Sequence, residues 1–356
     1  MKQPIFTGSW GKCHIQGIAV DEEHGYIYYS FTTKLVKSTL DGKIVGCVDG
    51  LMGHLGCIAF NREDGRIYGS LEYKRDAIGR EILEKLGQSA DLTDAFYIAI
   101  FDGDKIDRMG MDAEKDGVMK NVYLEEVLRD YSGTGLDRWG NPVPHRYGCS
   151  GIDGLTFGPM FGEPPDSKQY LFVSYGVYSD VNRDDNDHQV ILQYDPVMIE
   201  EWGKPLTQAA PHHSGCPAEA RYFFYTGNTT YGVQNLEYDP FTRTYLVAVY
   251  TGKKERFTNY PLFFIDATVA PVVSELIGRG GEAGLLLSPA RLTEAVSETG
   301  GCWFGLGQTG VYAFGDGRYA FSQHMSRVEE SGARTQASEV ILYRLDETCD
   351  LVFAEV

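Results

Sequence analysis

The sequence predicts an all-β protein in which five similar units of four short strands form a ring. Three observations lead to this prediction. A two-part sequence phrase recurs five times along the 356 residues, aromatic residues make up 13% of the chain, and 42 residues are Gly. Aromatic side chains favour the half-buried surface of a sheet, and many glycines fit a chain with many tight turns.

The first part of each phrase, here called the opener, is an apolar segment followed by an Asp- or Gly-rich turn and a Tyr-rich strand. The first two openers read HIQGIAVDEEHGYIYYS and GHLGCIAFNREDGRIYGS. A strand, a turn and a second strand predict a hairpin. The five openers begin at His14, Gly53, Gly151, Gly232 and Gly307.

The second part of each phrase is a short strand that runs into Asp. A unit of strand, turn, strand, loop and strand cannot bury both of its faces alone, so the copies must pack against one another. Closing the row into a ring removes exposed sheet edges. The five closing strands end at Asp41, Asp102, Asp195, Asp266 and Asp346.

The spacing of the openers predicts insertions in the later units. The first two lie 40 residues apart, which suits a bare four-stranded unit, and the others are about 75–97 residues apart. Residues 74–95 predict a helix, because their apolar residues recur at helical spacing. Residues 122–131 predict a fourth strand or a helix, residues 196–220 a loop, and residues 288–298 a helix.

These features resemble β-propeller proteins, in which a blade has a D-x-x-x-G-x-x-Y type turn and a third strand ending in Asp. The resemblance covers nearly the whole chain and implies a five-bladed β-propeller with short helical insertions, as one domain of residues 1–356. The alternative is a six- or seven-bladed ring with a divergent blade within 103–147. We expect residues 1–10 to close the ring, and blades at roughly 11–50, 51–147, 148–228, 229–300 and 301–356.

Composition excludes some classes of partner. The net charge is −18 and the pI is near 4.8, whereas binding nucleic acid or an anionic membrane needs clustered Lys and Arg. We expect neither as a partner. Without a membrane-helix-length apolar run or the apolar core of a signal peptide, the chain is predicted to be cytoplasmic. The seven Cys contain no C-x-x-C pair, so we expect reduced thiols and no zinc ribbon.

A ring of polar residues is expected at one mouth of the central channel, where the inner strands of a propeller start. Polar side chains in a narrow channel need water or a ligand, so we expect a small-molecule substrate there. The first level of the aligned openers contains His14, His54, Gly151, Gly232 and Gly307. Two residues further along lie Gln16, Gly56, Asp153, Gln234 and Thr309, with Gln308 one step off.

The two histidines are the sharpest candidates for chemistry. Neutral imidazole binds transition metals or acts as a general base near pH 7. We predict His14, His54 and Asp153 as catalytic residues and as ligands of one divalent metal, a transition metal or calcium. The alternative is that each His only caps a neighbouring blade. His188 and His324 also follow strands and approach the same mouth in this interpretation.

Two weaker motifs suggest other chemistry. The segment GCSGIDG contains Cys149 and Ser150, either of which needs a base such as His145 to act as a nucleophile. The segment SDVNRDDNDH, residues 179–188, resembles the start of a calcium loop. It lacks the Gly at position six and the acid at position twelve, so a solvated acidic loop is the alternative.

Five-bladed propellers include glycoside hydrolases of the arabinanase and invertase type and calcium-dependent apyrases. A glycosidase needs two carboxylates that face the substrate, for which the candidates are Asp153 with Glu72 or Glu237. Strand alternation predicts that Glu237 faces away from the channel mouth. Tyr175 and Tyr231 are expected to bind substrate as part of an aromatic rim.

Three functions remain open at this point. The first is an enzyme of hydrolase or lyase type that acts on a small polar substrate, a sugar or related metabolite, at the channel mouth. The second is a ligand-binding or scaffold propeller without catalysis. The third is a glycoside hydrolase built on carboxylates alone. Neither the substrate nor the oligomeric state can be read from the sequence.

Overall fold

Each opener folds into the two innermost strands of one β-sheet, and the five sheets form the blades of a propeller in the computed structural model. The predicted all-β class and the five blades are confirmed. The structure describes residues 3–329, 332–346 and 352–356.

Every blade is an antiparallel sheet of four strands, which follow one another outwards from the ring axis. Blade 1 consists of Gly17–Asp21, Tyr26–Ser30, Leu35–Thr39 and Ile44–Asp49. Blade 2 consists of His54–Asn61, Arg66–Tyr73, Ala95–Asp102 and Met119–Tyr123. Blade 3 consists of Cys149–Pro159, Gln169–Val177, His188–Tyr194 and Ala220–Tyr225. Blade 4 consists of Thr229–Asp239, Thr244–Thr251, Leu262–Asp266 and Gly301–Cys302.

The two ends of the described chain meet in blade 5. Its inner strands are Val311–Ala313, Arg318–Val328 and Arg334–Leu345. The fourth position is shared by Ile5–Ser9 and Phe353–Glu355, which both pair antiparallel with the third strand. The Thr7 hydroxyl donates to the Ser338 carbonyl at 3.1 Å, and the Ser338 amide donates back to Thr7 Oγ1 at 2.9 Å. The ring is therefore closed by a strand from the start of the chain.

Additional short strands extend the outer edges of three blades. The segment 103–147, which was the alternative location of a sixth blade, holds the outer strand of blade 2, one helix and a small hairpin, so it forms no further blade. These additional strands are Met111–Asp112 on blade 1, Lys204–Pro205 on blade 2, and Val272–Glu275 with Ala283–Leu286 on blade 3; the hairpin is Thr134–Leu136 with Pro142–Pro144.

In the described residues three α-helices lie in the insertions: α1 (Ala77–Leu86), α2 (Glu125–Ser132) and α3 (Pro196–Trp202). Two single 3₁₀ turns, Gly103–Lys105 and Arg146–Gly148, accompany them. The helix expected within 74–95 is present as α1. The segment 122–131 contains both alternatives, because the outer strand of blade 2 runs directly into α2.

Two predictions about the insertions are wrong. The segment from residue 196, expected to be a loop, begins with α3, because the Asp195 carboxylate accepts from the Val197 amide as an N-cap and Pro196 suits the first turn. The segment 288–298, expected to be a helix, is irregular. Its start lies in extended pairing against blade 4, where the Ala290 amide donates to the Phe264 carbonyl at 2.9 Å.

The inner strands approach one another closely halfway along the channel, at the fourth position of the openers. This level, here called the waist, contains Gly17, Cys57, Gly154, Asn235 and Gly310. A Cβ at Gly17 would lie 2.9 Å from the Cα of Cys57 on the next blade. The Asn235 side chain donates to the Gln16 carbonyl at 2.8 Å and to the Gln308 carbonyl at 3.1 Å. Because it links blade 4 to blade 1 across the axis, it closes the channel.

We expect Asn235→Ala to lower the free energy of unfolding by about 1–3 kcal/mol, because two buried carbonyls lose their cross-axis donor. The measurement is urea denaturation followed by tryptophan fluorescence. Asn182→Ala, on an exposed loop, is the matched control and should change stability by less than about 0.5 kcal/mol. Equal effects of the two variants would contradict the structural role of the waist.

Two further expectations concerned reduced cysteine thiols and the lack of a membrane-spanning helix. Six Cys lie in the described residues, and all six are buried and unpaired; Cys349 falls outside those residues. Within the part of the chain that the structure describes, no helix has both the length and the apolar character needed to cross a membrane.

Candidate functional site

The mouth at which the inner strands start contains a cavity of about 340 Å³, here called the upper cavity. Eight of the residues singled out in the sequence line it: His14, Gln16, His54, Glu72, Ser150, Asp153, Tyr231 and Gln234. The register of the openers therefore brings together side chains that are far apart in the chain. Additional lining residues come from the segment after the second strand of blade 2, from blade 4 and from α1: Lys74, Tyr250, Ile78, Glu81, Ile82 and Lys85.

The third opener position supplies the base of this cavity. Gln16, Asp153 and Gln234 occupy it on three blades, whereas blade 2 has Gly56 there. A Cβ at Gly56 would lie only 2.3 Å from Asp153 Oδ1. Only glycine leaves room for the Asp153 carboxyl group. Blade 2 therefore has Gly56 at this position, where three other blades have a polar residue, because the space is occupied by Asp153 of blade 3.

A buried ion pair forms one wall. Lys74 Nζ lies 2.5 Å from Glu72 Oε1 and donates to the Ser150 carbonyl at 2.8 Å. The second oxygen of Glu72 accepts from the Ile152 amide at 3.0 Å. Burial raises the pKa of Glu72, and the adjacent ammonium opposes this rise. Burial alone lowers the pKa of Lys74, but Glu72 and Asp76 raise it beyond its usual value. The pair carries no net charge.

Asp153 has no such cation. Its Oδ2 accepts from the Gln234 side-chain amide at 3.1 Å, and its Oδ1 lies 4.0 Å from His54 Nδ1. Burial raises the pKa of Asp153 well above its usual range, and the charge of Glu72 raises it further. The Asp153 carboxyl group therefore holds its proton to a higher pH than an exposed aspartate does.

Both cavity histidines are neutral. Burial, followed by the charges of Lys74 and His14, lowers the pKa of His54 to about 3. Burial, followed by His324, lowers the pKa of His14 to about 4. His14 Nε2 lies 3.1 Å from the Gln16 amide nitrogen and accepts its hydrogen. His54 Nδ1 has no hydrogen-bond partner and lies 3.6 Å from Glu72 Oε1. A buried polar atom without a partner indicates a place for a ligand or water.

The predicted metal ligands do not match this geometry. Among residues 3–329, 332–346 and 352–356, no three His, Cys, Asp or Glu side chains are placed to hold a metal ion. The Nε2 lone pair of His14 is used by Gln16, and the Lys74 ammonium already supplies a positive charge at Glu72. The set His14, His54 and Asp153 does not fit a divalent metal, whose presence remains a prediction for elemental analysis.

Some sequence candidates lie outside the upper cavity. Tyr175 is fully buried between blades, where its hydroxyl donates to Asp130 at 2.8 Å. Gln308 donates from its side chain to the Pro261 carbonyl at 3.1 Å instead of lining the cavity. His188 is buried beside Phe223 and Tyr225. These positions do not fit substrate binding by Tyr175 and Gln308. His324 reaches the mouth, with its ring centroid 5.7 Å from that of His14.

The two weaker motifs have structural explanations. Ser150 lines the cavity, but His145 Nδ1 is occupied by the Tyr131 carbonyl at 2.6 Å, and burial raises the pKa of the Cys149 thiol. The carboxylates of the acidic loop pair with arginine and lysine side chains, whereas those of a calcium loop would coordinate the ion. These pairs are Asp184 with Arg256 at 2.7 Å, Asp185 with Arg183 at 2.8 Å and Asp187 with Lys254 at 2.5 Å.

Comparisons with known proteins give only weak similarities, with TM-scores below 0.5. No protein-family model matches the chain, and no curated protein matches it. Three solved structures are similar to the chain, namely two described as propellers and one galactosidase. The Dos1 propeller is 8% identical, with TM-score 0.38, and covers 96% of this chain and 70% of its own.

The β-propeller domain of Cps50 (Swd1) from Myceliophteria thermophila is 10% identical, with TM-score 0.32, and covers 91% and 83% of the two chains. A GH43 β-1,3-galactosidase with galactodeoxynojirimycin is 11% identical, with TM-score 0.45, and covers 96% of both chains. At these identities and TM-scores none of the three supports an argument about function, which must come from the site.

Sequence reasoning missed Lys74 and the position of helix α1 at the mouth. Lys74 lies two residues after Glu72, just past the end of the strand Arg66–Tyr73, and this period-two spacing was the available signal. Helix α1 covers one side of the mouth with Ile78 and Ile82. Its N-cap Asp76 accepts from the Gly79 amide at 2.9 Å and from the Tyr178 hydroxyl at 2.9 Å. Nothing in the helix sequence says which part of the ring it covers.

Proposed function

We propose that the upper cavity is the active site of an enzyme that acts on a small, uncharged, hydroxylated molecule such as a sugar. The reaction is a hydrolysis or an elimination. One observation carries this proposal: Asp153, whose pKa burial raises well above its usual range, lies with its Oδ1 4.0 Å from the Nδ1 of a neutral His54, and that Nδ1 has no hydrogen-bond partner among the described residues. Cleavage of a C–O bond by general acid–base catalysis uses one group that donates a proton and one that accepts a proton.

Asp153 acts as the general acid in this proposal. Its proton passes to the oxygen of the departing group as the C–O bond breaks. His54 Nδ1 takes the compensating proton, either from a water that attacks the carbon or from a substrate carbon whose electrons form a double bond. Glu72 is a positioning residue, because both of its oxygens are engaged by Lys74 and Ile152. The carboxylate-only glycosidase is therefore disfavoured.

The charges around the cavity support an uncharged substrate. The Glu72–Lys74 pair is balanced, and Glu81 on α1 is balanced by Lys85 at 2.8 Å. His14 and His54 are neutral, so no free cation is available among the described lining residues for a carboxylate or phosphate group. The side-chain carbonyl oxygens of Gln16 and Gln234 can accept hydrogen bonds from substrate hydroxyls, because it is the amide nitrogens that bond to other protein groups.

The test is a panel of nitrophenyl glycosides of neutral sugars and of the matching uronic acids. Turnover is expected for a neutral member, and not for its uronide. We expect Asp153→Asn and His54→Gln each to lower kcat/KM by about 10²–10⁴-fold, while His24→Gln on an exposed turn leaves it unchanged. The rate should fall at alkaline pH as Asp153 ionises, and at acid pH as His54 protonates.

A specific observation also favours the second candidate, ligand binding without turnover. Because Glu72 is fully engaged, the cavity has one free carboxyl group, and Tyr231 and Tyr250 offer flat apolar surfaces that suit a sugar ring. Saturable binding of a neutral sugar with no product from any panel member would support that function. Full activity of the Asp153→Asn, His54→Gln double variant would overturn the enzyme proposal.

A further inference from the structure

The opposite mouth of the ring contains a second cavity of about 300 Å³, here called the lower cavity. It is separated from the upper cavity by the waist, where Asn235 crosses the axis. Its walls are polar and apolar in similar measure and come from all five blades. The rings of Phe60, Phe157 and Phe314 are among the apolar lining groups.

The Glu237 side chain lines this cavity from the inner strand of blade 4, and Glu63 lies at the exposed rim. This placement agrees with the expectation that Glu237 faces away from the upper mouth. Its Oε1 accepts from the Ala313 amide at 2.9 Å, and its Oε2 accepts from the Thr156 hydroxyl at 3.3 Å. Both partners are neutral. In the described part of the chain, no Lys, Arg or His nitrogen lies within 4.0 Å of the Glu237 carboxylate.

Several other buried acids of this protein have a cationic partner. Glu72 pairs with Lys74, Asp130 with Arg221 at 2.9 Å, and Asp187 with Lys254 at 2.5 Å. The guanidinium of the lower cavity, Arg62, is instead held by Glu22 at 2.7 Å and by the Tyr312 hydroxyl at 2.7 Å. Glu237 is therefore an acid at a cavity wall that lacks the cation found beside comparable acids.

We propose that the lower cavity binds an organic ammonium ion with an apolar body. The ammonium group pairs with Glu237, and the body packs against Phe60, Phe157 and Phe314. A cation offsets the cost of burying a carboxylate, and aromatic faces attract cations through their quadrupole. A cavity of this size excludes polymers and suits a ligand of about ten non-hydrogen atoms.

Proton release is a second consequence of the same geometry. Burial raises the pKa of Glu237 to about 8, against the hydrogen bonds from Ala313 and Thr156. The charged groups that face it are Asp239 on its own strand, which raises the pKa, and Arg62 from blade 2, which lowers it. At neutral pH the free protein holds this proton, and a bound ammonium ion displaces it. Affinity should therefore rise with pH until the pKa is passed.

The experiment is calorimetric titration of the whole protein with three matched probes: 2-phenylethylammonium, 2-phenylethanol and 3-phenylpropanoate. The ammonium probe should bind at least about tenfold tighter than the alcohol, the anion should not bind, and binding at neutral pH should release a proton to the buffer. Alcohol binding equal to that of the ammonium probe, or no binding of the ammonium probe, overturns the proposal. This comparison needs no variant.

A variant pair then locates the site. Glu237→Gln should lose the preference for the ammonium probe and the proton release. Glu63→Gln, which removes the same charge from the exposed rim of the same mouth, should keep both. Retention of the preference in a folded Glu237→Gln protein rejects this site. The result does not depend on turnover in the upper cavity, so the two proposals fail separately.

Discussion

Lys74→Met is expected to lower the free energy of unfolding by about 3–5 kcal/mol, because it leaves the Glu72 carboxylate buried without its cation. The Lys74 ammonium lies 2.5 Å from Glu72 Oε1, and both side chains are only 4% exposed. The Ser150 carbonyl loses its side-chain donor as well. Chemical denaturation at neutral pH measures the loss.

Two further variants separate this ion pair from general damage to the cavity wall. The double variant Glu72→Gln, Lys74→Met restores a neutral wall and should recover most of the lost stability. Lys85→Met breaks the Glu81–Lys85 pair of α1, in which the side chains are 61% and 34% exposed. This exposed pair should contribute less than about 1 kcal/mol. If the double variant is as unstable as Lys74→Met, the buried charge is not the cause.

A second large effect is expected in acid. His54 has a pKa of about 3 in the folded protein, against about 6.5 in an unfolded chain. As the pH falls below about 6.5, the His54 imidazole takes up a proton in the unfolded state but stays neutral in the folded state. The stability that His54 contributes is therefore complete above that pH and is lost on acidification, at about 1.4 kcal/mol per pH unit.

The measurement compares unfolding free energies of the wild type and His54→Gln at several pH values. The difference, wild type minus variant, should fall by about 3 kcal/mol between about pH 6 and about pH 4. The raised pKa values of Glu72 and Asp153 act with the opposite sign, but in both proteins, so the difference isolates His54. Thr32→Val in the same cavity is the control, and its difference from the wild type should not vary with pH. A constant difference for His54→Gln as well would show that the imidazole can be protonated in the folded state.

The fold and much of the upper cavity could be predicted because the repeats show which residues of different blades lie at the same level of the ring. Each opener carries the same strand, so counting residues from its start placed His14, Gln16, His54, Asp153 and Gln234 at one mouth. Period-two alternation on a strand converts position into direction. The same reasoning did not extend to Tyr175, which lies on the second strand of blade 3 and is fully buried, with its hydroxyl donating to Asp130.

The insertions could not be placed because their position depends on tertiary packing. A helical pattern predicted α1, but not that it would cover the mouth. Residues 288–298 have helix-forming composition, yet pairing with blade 4 prevails through Ala290 and Phe264, since propensity is weak beside tertiary contacts. The raised pKa of Asp153 could not be predicted either, because burial and the neighbouring Glu72 cause it.

The closed waist has a kinetic consequence. Whatever enters the upper cavity meets Asn235 and the inner strands at its far end, and must leave by the opening through which it came. Ligand entry and product release therefore use the same opening, and a product must leave before the next ligand can enter. A product that leaves slowly competes directly with the next molecule, and a polymer can present only its terminus. Passage from one face of the ring to the other is closed, so the two faces can meet different solutes independently.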